Sequence, residues 1–393
     1  MIEFNPYDKA FAIDPYPIYK RLRDEAPVYQ CAPLNFWAIS RYADVLEAHK
    51  DFKTFSSAGG VTIEGLDAMV PLLIVKDPPE HLWHKALITK VFTPNRMGAL
   101  EPYIRNLVIS LLDQAAQKKE FDFVQEFALQ VPLQVISELI GIPEELRQEI
   151  HRLTNKLLDR EDASGLAELG ATMAAGHEIY LGLVRERRAR PRKDPITYLI
   201  ESEVKDDQGV VRRLTDDEMA FRFAELAAAG HETVAKTIPN GAMAFQRFPG
   251  ERKKLIENPG LLPGAVEEIL RFDPPSQLQG RTTTRDVTLH GVTIPAGSKT
   301  MLLTGAATRD ERKFDNPDVF NISREAPIDS IYFGFGIHRC LGVHLARLEL
   351  RITFEELFRR FPNFEVDSSR ATRAVLSNVR GVKTLPARLG AAA

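Results

Sequence analysis

The sequence comprises 393 residues, 44% of them hydrophobic and 27% charged, which is typical of a globular protein that buries its own core. The formal net charge of −3 argues against a general nucleic-acid-binding protein, because such proteins carry a basic excess to neutralise phosphates. Two cysteines, Cys31 and Cys340, exclude a disulfide framework and a multi-thiolate zinc site. No apolar run approaches the length needed to cross a bilayer, and the N-terminus lacks a signal-peptide pattern, so we expect a cytoplasmic protein.

Helical periodicity dominates the chain, with apolar residues spaced three and four apart. The predicted helices are 41–50, 80–91, 99–118, 127–140, 144–159, 166–190, 216–248, 263–272 and 341–361. The longest of them opens with a capping box, in which Thr215 caps the helix and Glu218 reaches back. Pro239 lies inside this helix and predicts a kink or a locally opened turn, because its ring removes a backbone donor.

Strand signals are few. The predicted strands are 27–29 with 36–40, 287–289 with 292–294 across a His-Gly turn, and 300–303. The pattern therefore predicts a mainly α fold with a small β component. The length alone favours two or three domains, but no linker, internal repeat or low-complexity segment is evident.

The loop FGFGIHRCLG, residues 333–342, places a cysteine between basic residues and in front of a helix. Gly334 and Gly336 allow backbone conformations that a Cβ would forbid, and Gly342 lets the helix begin close to a flat group. Amides at a helix N-terminus lower the pKa of a thiol, so we expect Cys340 to be a thiolate.

Three interpretations of Cys340 follow from the residues alone. A free cysteine is most often a small hydrophobic residue that fills a gap in the core. A nucleophile would need a general base, and His338 and His344 are near in sequence without forming an established catalytic spacing. A metal ligand would need apolar packing and hydrogen bonds to sulfur, which Phe333, the glycines and the helix start could supply.

The loop resembles the haem-binding loop of the cytochrome P450 superfamily, in its soluble bacterial form. By this resemblance Cys340 is the axial ligand of the iron of haem b, Phe333 covers the sulfur side, and His338 hydrogen-bonds a haem propionate. The resemblance extends from Asp14 to the final strands. It implies one haem-thiolate monooxygenase domain over residues 1–393, with the cytochrome P450 fold of an α-rich part and a β-rich N-terminal part.

The segment AGHET, residues 229–233, lies within the longest predicted helix. Its small residues permit close helix packing, and Thr233 can bond back to the carbonyl of Ala229. The resemblance implies a catalytic role instead. Ala229 and Gly230 would let haem and dioxygen approach the backbone, while Glu232 and Thr233 would form an acid–alcohol pair that delivers protons.

Glu268 and Arg271 have the Glu-x-x-Arg spacing that places both side chains on one helix face. The resemblance implies that this pair joins Arg324 as structural support for the haem pocket. The same spacing occurs elsewhere, and we interpret these as exposed pairs that contribute little: Glu144/Arg147, Glu149/Arg152 and Glu356/Arg359.

A haem carries two propionates whose burial needs cationic or hydrogen-bonding partners. His81 and Lys85 lie one helical turn apart, and the resemblance assigns both to propionate binding. The second position is usually arginine in the family; lysine keeps the charge but lacks the planar fork. Arg281 matches a further propionate-binding arginine.

The resemblance implies a monooxygenase that inserts one atom of O₂ into a small organic substrate, most often by hydroxylation. Substrate contacts are expected from 59–75, 221–229 and 276–279, and the apolar first segment favours a lipophilic substrate. Electrons would come from NAD(P)H through a ferredoxin reductase and an acidic iron–sulfur ferredoxin. The ferredoxin would dock on a positive patch of His84, Lys85, Lys90, Arg96, Arg339 and Arg347.

Other functions stay open from the sequence. A peroxide-driven haem-thiolate enzyme would need no reductase, but it would also not need Glu232 and Thr233. A non-catalytic haem sensor or binding protein could keep Cys340 without that pair, and it would be expected to carry an output module. A haem-free thiol hydrolase would purify colourless.

Overall fold

The computed structural model describes residues 2–158, 166–325, 330–373 and 378–392. The helices within these ranges are α1 (Lys9–Ile13), α2 (Tyr16–Glu25), α3 (Tyr42–Lys50), α4 (Glu80–Thr89), α5 (Pro94–Ala99), α6 (Glu101–Ala116), α7 (Gln130–Ile140), α8 (Glu144–Leu158), α9 (Leu166–Ala189), α10 (Pro195–Glu201), α11 (Asp216–Arg247), α12 (Pro249–Glu257), α13 (Leu262–Phe272), α14 (Thr304–Ala307) and α15 (Val343–Arg360).

The strands are short. They are β1 (Val28–Cys31), β2 (Phe36–Ile39), β3 (Phe55–Ser56), β4 (Phe121–Asp122), β5 (Val204–Lys205), β6 (Val211–Arg212), β7 (Gln279–Thr283), β8 (Val287–Leu289), β9 (Val292–Ile294), β10 (Lys299–Leu302), β11 (Glu365–Val366), β12 (Thr372–Arg373), β13 (Val382–Thr384) and β14 (Pro386–Arg388). The described part of the chain is therefore mainly α with a small β component, as predicted.

The largest sheet has five strands in the order β1-β2-β10-β7-β3. β2 and β10 run parallel, whereas the other neighbouring strands are antiparallel. In this register Thr300 on β10 lies between Trp37 on β2 and Arg281 on β7. Arg281 therefore lies on an inner strand of the sheet, with β10 on one side and β3 on the other.

The longest helix, α11, lies at the centre of the helical part and packs against α7, α9, α13 and α15. It begins at the predicted capping box, where the Thr215 side chain accepts from the Glu218 amide. At Gly241 a Cβ would lie 2.7 Å from the Phe354 ring on α15 and 3.0 Å from Ile269 on α13. The absence of a side chain at Gly241 therefore lets both helices pack closely against α11. Each such apolar side chain contributes about 1.5–3 kcal/mol when it is fully buried.

All nine predicted helices are present with small shifts at their ends, except that residue 159 lies outside the described residues. α11 continues through Pro239 to Arg247, so the chain does not leave the helix there. The sequence pattern missed β7, because QGRTT has no apolar–polar alternation, and it also missed the short strands β3 to β6 and β11 to β14. Among the helices it missed α1, α2, α5, α10, α12 and α14.

Candidate active site

The Cys340 loop is held in a tight conformation before α15. Gly334 and Gly336 have φ angles of 69° and 66°, and a Cβ at Gly336 would lie 2.5 Å from the carbonyl oxygen of His49. The Cys340 amide donates to the Phe333 carbonyl at 2.9 Å. Both glycines are thus required by backbone geometry, which is the reason the sequence suggested.

The Cys340 sulfur accepts a hydrogen bond from the backbone of Gly342, the residue that precedes α15. Burial nevertheless raises the thiol pKa, and this effect outweighs the Gly342 amide and the charges of Lys85 and Arg339. The expected lowering of the thiol pKa was therefore wrong for the protein alone. Cys340 has accessible surface although protein surrounds it.

A cluster of basic side chains lies beside this loop. The rings of His81 and His338 are 4.3 Å apart, and neither His81 Nδ1 nor His338 Nε2 has a hydrogen-bond partner. Arg281 is 3% exposed and donates only to the Gly280 carbonyl within the described residues. Its guanidinium forms no ion pair there, and burial lowers its pKa to about 10.

Burial also lowers the pKa of His81 to about 4, and Lys85 adds to this effect. For His338, burial and then the Arg281 charge lower the pKa to about 2. The charges of these groups disfavour one another, and the nearby charge of Asp77, which acts to raise the pKa of His81 and of Arg281, does not offset the effect of burial. A pair of carboxylates placed here would reverse that effect, so the cluster fits two haem propionates.

His49 belongs to the same cluster, and sequence reasoning missed it. It lies in the last turn of α3, is 4% exposed, and neither ring nitrogen has a hydrogen-bond partner. Burial and the Arg281 charge lower its pKa to about 3. Its spacing marked it only as part of an amphipathic helix, so no sequence signal connected it with the distant Cys340 loop.

Lys85 occupies a different position from the one expected. Its ammonium group donates to the carbonyls of Ile337 and Arg339, the latter at 3.1 Å. Lys85 therefore ties α4 to the loop that carries Cys340.

The AGHET segment lies in the middle of α11. Ala229 is exposed and Thr233 is half-buried, whereas most residues of the turns that follow, 234–242, are buried. Thr233 donates to the Ala229 carbonyl at 3.3 Å, a long bond, and Glu232 is half-buried. A Cβ at Gly230 would lie 2.8 Å from Ile136 Cδ1 on α7, so the missing side chain of Gly230 serves helix packing.

Glu268, Arg271 and Arg324 meet as predicted. Glu268 accepts two bonds from Arg271, at 2.7 and 2.8 Å, and one from Arg324 Nε at 3.2 Å. Arg271 also donates to the carbonyls of Thr308 and Pro317, both at 2.9 Å. The cluster joins α13 to the chain that leads to the Cys340 loop.

The other Glu-x-x-Arg pairs differ from one another. Glu356 is buried and bonds to Arg105 as well as Arg359, so its interpretation as an exposed pair was wrong. Arg147 pairs with Glu138 at 2.7 Å. The third pair, Glu149 and Arg152, is exposed as expected.

The predicted positive patch is smaller than the sequence suggested. His84 is fully buried, and burial together with Arg222 lowers its pKa to about 4, so it is neutral at pH 7. Arg347 pairs with Glu267 at 2.6 Å. Lys85 is bonded to loop carbonyls. Of the other three, Arg339 is exposed, whereas Lys90 and Arg96 are half-buried, Lys90 donating to the Glu203 carbonyl at 2.7 Å and Arg96 lying 4.2 Å from the centre of the Tyr198 ring.

The three expected substrate segments are connected to one another. Glu225 on α11 accepts from the amides of Leu73 and Ile74 at 2.8 and 3.0 Å, which ties 59–75 to α11. The Gly280 amide donates to the Val61 carbonyl at 2.7 Å, which ties the same segment to β7 just after 276–279.

A family model described as Cytochrome P450 matches residues 144–388, which is more than half of the chain. The chain belongs to the cytochrome P450 family. It is 42% identical to cytochrome P450 123 of Mycobacterium tuberculosis, over 97% of this chain and 96% of that protein. It is 36% identical to a vitamin D(3) 25-hydroxylase of Pseudonocardia autotrophica, over 98% and 96% of the two chains.

Among solved structures, the cytochrome P450 PksS of the Bacillus subtilis bacillaene polyketide synthase superposes with a TM-score of 0.90 at 30% identity, covering 98% of this chain and all of that one. The cytochrome P450 fold is thus shown, and with it a monooxygenase that uses haem b, a small substrate and O₂. Within the described ranges, no helix is both long and apolar enough to span a bilayer.

Proposed function

We propose that this P450 hydroxylates a lipophilic small molecule and that Cys340 is the thiolate ligand of its haem iron. The observation that carries the proposal is the buried basic cluster of His81, Arg281 and His338, which forms no ion pair within the described residues and lies beside the Cys340 loop. A haem would supply the binding and activation of dioxygen.

Each residue of the loop has a physical task in this proposal. The Gly342 amide stabilises negative charge on the Cys340 sulfur, and Phe333, with the Arg347 guanidinium 5.1 Å from its ring centre, covers the sulfur side. His81, Arg281 and His338 would hold the propionates. Lys85 would act through the loop carbonyls it binds.

Thr233 and Glu232 would manage protons on the α11 side. The Thr233 hydroxyl makes only a long bond to the Ala229 carbonyl, so it can exchange this bond for one to water or dioxygen. Glu232 precedes it on the same turn. Ala229, which has no side chain beyond Cβ, would leave room for the haem, whereas Gly230 faces Ile136 on α7.

The substrate is proposed to be lipophilic because 59–75 is mostly apolar and is bonded to α11 through Glu225. The name of the Pseudonocardia relative, a hydroxylase of vitamin D(3), supports an apolar substrate class. We further propose a cytoplasmic protein with one domain over residues 1–393. The coverage of 98% of this chain by a solved P450 supports the single domain.

Electrons are proposed to come from NAD(P)H through a reductase and an acidic ferredoxin. Lys90, Arg96 and Arg339 are the basic side chains that could attract it. A peroxide-driven enzyme is the second candidate, and the half-buried Glu232 beside Thr233 favours the ferredoxin-dependent reaction. Product formation with ferredoxin, reductase and NAD(P)H, compared with hydrogen peroxide alone, separates the two.

The ligand assignment is tested with Cys340→Ala. The reduced, carbon-monoxide-bound protein should lose the long-wavelength Soret band of thiolate ligation, because alanine offers no ligand. Cys31→Ala is the matched control, since that cysteine is the second one of the chain and is buried in β1. An unchanged band in Cys340→Ala would refute the assignment.

A further inference from the structure

Three ligand-type side chains converge at one place on α4 and α11 that the monooxygenase reaction does not use. Glu80 and His84 lie one turn apart on α4, and Glu218 lies in the first turn of α11. One ligand atom from each lies within 4.8 Å of the other two. His84 Nε2 is 3.4 Å from Glu80 Oε1 and 3.5 Å from Glu218 Oε1.

The His84 ring is fully buried, and neither of its nitrogens has a hydrogen-bond partner. A direct N–H···O bond would bring nitrogen and oxygen to about 2.9 Å. Ligands of a tetrahedral zinc ion, with metal–ligand bonds of about 2.0–2.1 Å, instead lie about 3.3 Å apart. The two measured distances are close to that second value, so the unpartnered imidazole is aimed between two carboxylates at the separation of metal ligands.

We propose that Glu80, His84 and Glu218 bind a divalent transition-metal ion of the Zn²⁺ type, with water as the fourth ligand. One imidazole and two carboxylates form a ligand set that zinc accepts. The neutral ring of His84 offers a lone pair, and the two carboxylates balance the charge of the ion.

The Glu218 carboxylate is already oriented for this role. Its Oε2 accepts from the Thr215 amide at 2.8 Å and from the Thr215 hydroxyl at 3.0 Å, as part of the capping box. The other oxygen, Oε1, is thereby directed to His84. Such a fixed partner is what orients ligands around protein-bound metals.

Two cations compete with a metal here. Lys76 pairs with Glu80, and the charge of Arg222 acts on His84. Arg222 is itself balanced by Glu225 at 3.1 Å, whereas the metal must displace Lys76 from the half-exposed Glu80.

A bound ion would link α4, which carries His81 and Lys85, to the start of α11. The inference is independent of the substrate and of the electron donor.

The test is calorimetric titration of the chelator-treated holoenzyme with Zn²⁺ alone. We expect one ion per chain, and a Tm that rises by a few degrees at about 100 times the Kd. Because His84 is buried and its replacement could unfold the protein, the variants are Glu80→Gln and Glu218→Gln. Glutamine at position 218 keeps the capping box.

Both variants should bind Zn²⁺ at least about tenfold more weakly, because one of three protein ligands is lost. Glu149→Gln, an exposed glutamate of α8, is the matched control and should bind as the unmodified protein does. Absence of one-to-one binding, or an unchanged affinity in either Glu80→Gln or Glu218→Gln, would overturn the proposal.

Discussion

Arg281 is a buried cation on β7 that forms no ion pair in the described part of the chain. Burying a charge without an opposite charge is costly, so a folded protein keeps such a residue only where a partner arrives from outside the chain. His49, His81 and His338 lie around it with unpaired ring nitrogens. The site is therefore identified by buried basic side chains that lack an ion pair or a hydrogen-bond partner.

Arg281→Met should change haem binding and haem-free stability in opposite directions. Loss of the cation should speed haem loss by about tenfold or more, because a charge-assisted bond disappears. The haem-free protein should gain about 1–3 kcal/mol, because an uncompensated buried group disappears with it. Haem transfer to an acceptor globin and urea unfolding of the haem-free protein measure the two effects.

Arg285→Met is the control, since Arg285 follows β7 with a side chain 69% exposed. It should alter neither quantity. A haem-free protein destabilised by Arg281→Met would show that the guanidinium already has a stabilising partner.

Glu349 on α15 is a buried carboxyl group, and it gives a pH prediction. It is 1% exposed, its Oε2 has no hydrogen-bond partner, and burial raises its pKa well above the ordinary value. The folded protein thus holds a proton that the unfolded chain releases at its ordinary pKa of about 4.3. The free energy of unfolding should fall as the pH rises from there towards the raised pKa.

Glu349→Gln should remove this decline, because an amide keeps the shape of the protonated acid and does not ionise. The variant should match the unmodified protein near pH 4 and exceed it in stability at pH 7. Urea unfolding at both pH values measures this. Equal stability of the two proteins at pH 7 would mean that Glu349 is ionised at no cost.

Among the helices, the contact between α7 and α11 gives Gly230 a structural role. Gly230 lies in the segment that the P450 resemblance connects with haem, yet its missing Cβ faces Ile136. Gly230→Ala should cost about 1–3 kcal/mol of stability through overpacking. Thermal or urea unfolding measures the cost, and the added replacement Ile136→Val should recover part of it.

Gly182→Ala on α9 is the matched control, because nothing lies within 4 Å of a Cβ at that position. It should stabilise the protein by about 0.5–1 kcal/mol, since alanine favours the helix. If Gly230→Ala left stability unchanged and altered only the haem spectrum, the packing explanation would be wrong.

The elements show how far the sequence could predict the molecule. Helices of strong 3.6-residue periodicity and the Cys340 loop were evident, because their signals are local. Arg281 could be matched to a family position, but its strand β7 could not be predicted, since the pairing with β10 is not encoded in QGRTT. His49 and the buried state of His84 and Glu356 depend on tertiary contacts, so their environments were not accessible from spacing.

Across the whole molecule, Glu268 ties together segments that are far apart in the chain. Its two oxygens hold Arg271 on the same helix and Arg324 on the connection to the Cys340 loop, and one accepts from the Asn321 amide at 2.8 Å. Glu268→Gln should cost about 3–5 kcal/mol, because two guanidinium groups lose their carboxylate.

Guanidinium-induced unfolding measures that cost, and haem content on purification should fall with it. Glu149→Gln breaks an exposed pair of similar spacing and should change stability by less than about 0.5 kcal/mol. A cost below about 1 kcal/mol for Glu268→Gln would show that the cluster does not stabilise the fold.

The parallel pairing of β2 with β10 also determines when, during synthesis, the five-stranded sheet can be completed. About 260 residues separate the two strands, so during synthesis the β1–β2 hairpin leaves the ribosome long before its neighbour exists. Its free edge stays open while α3 to α13 emerge and begin to pack. The sheet that contains Arg281 can close only late, which makes the basic pocket one of the last parts of the protein to form.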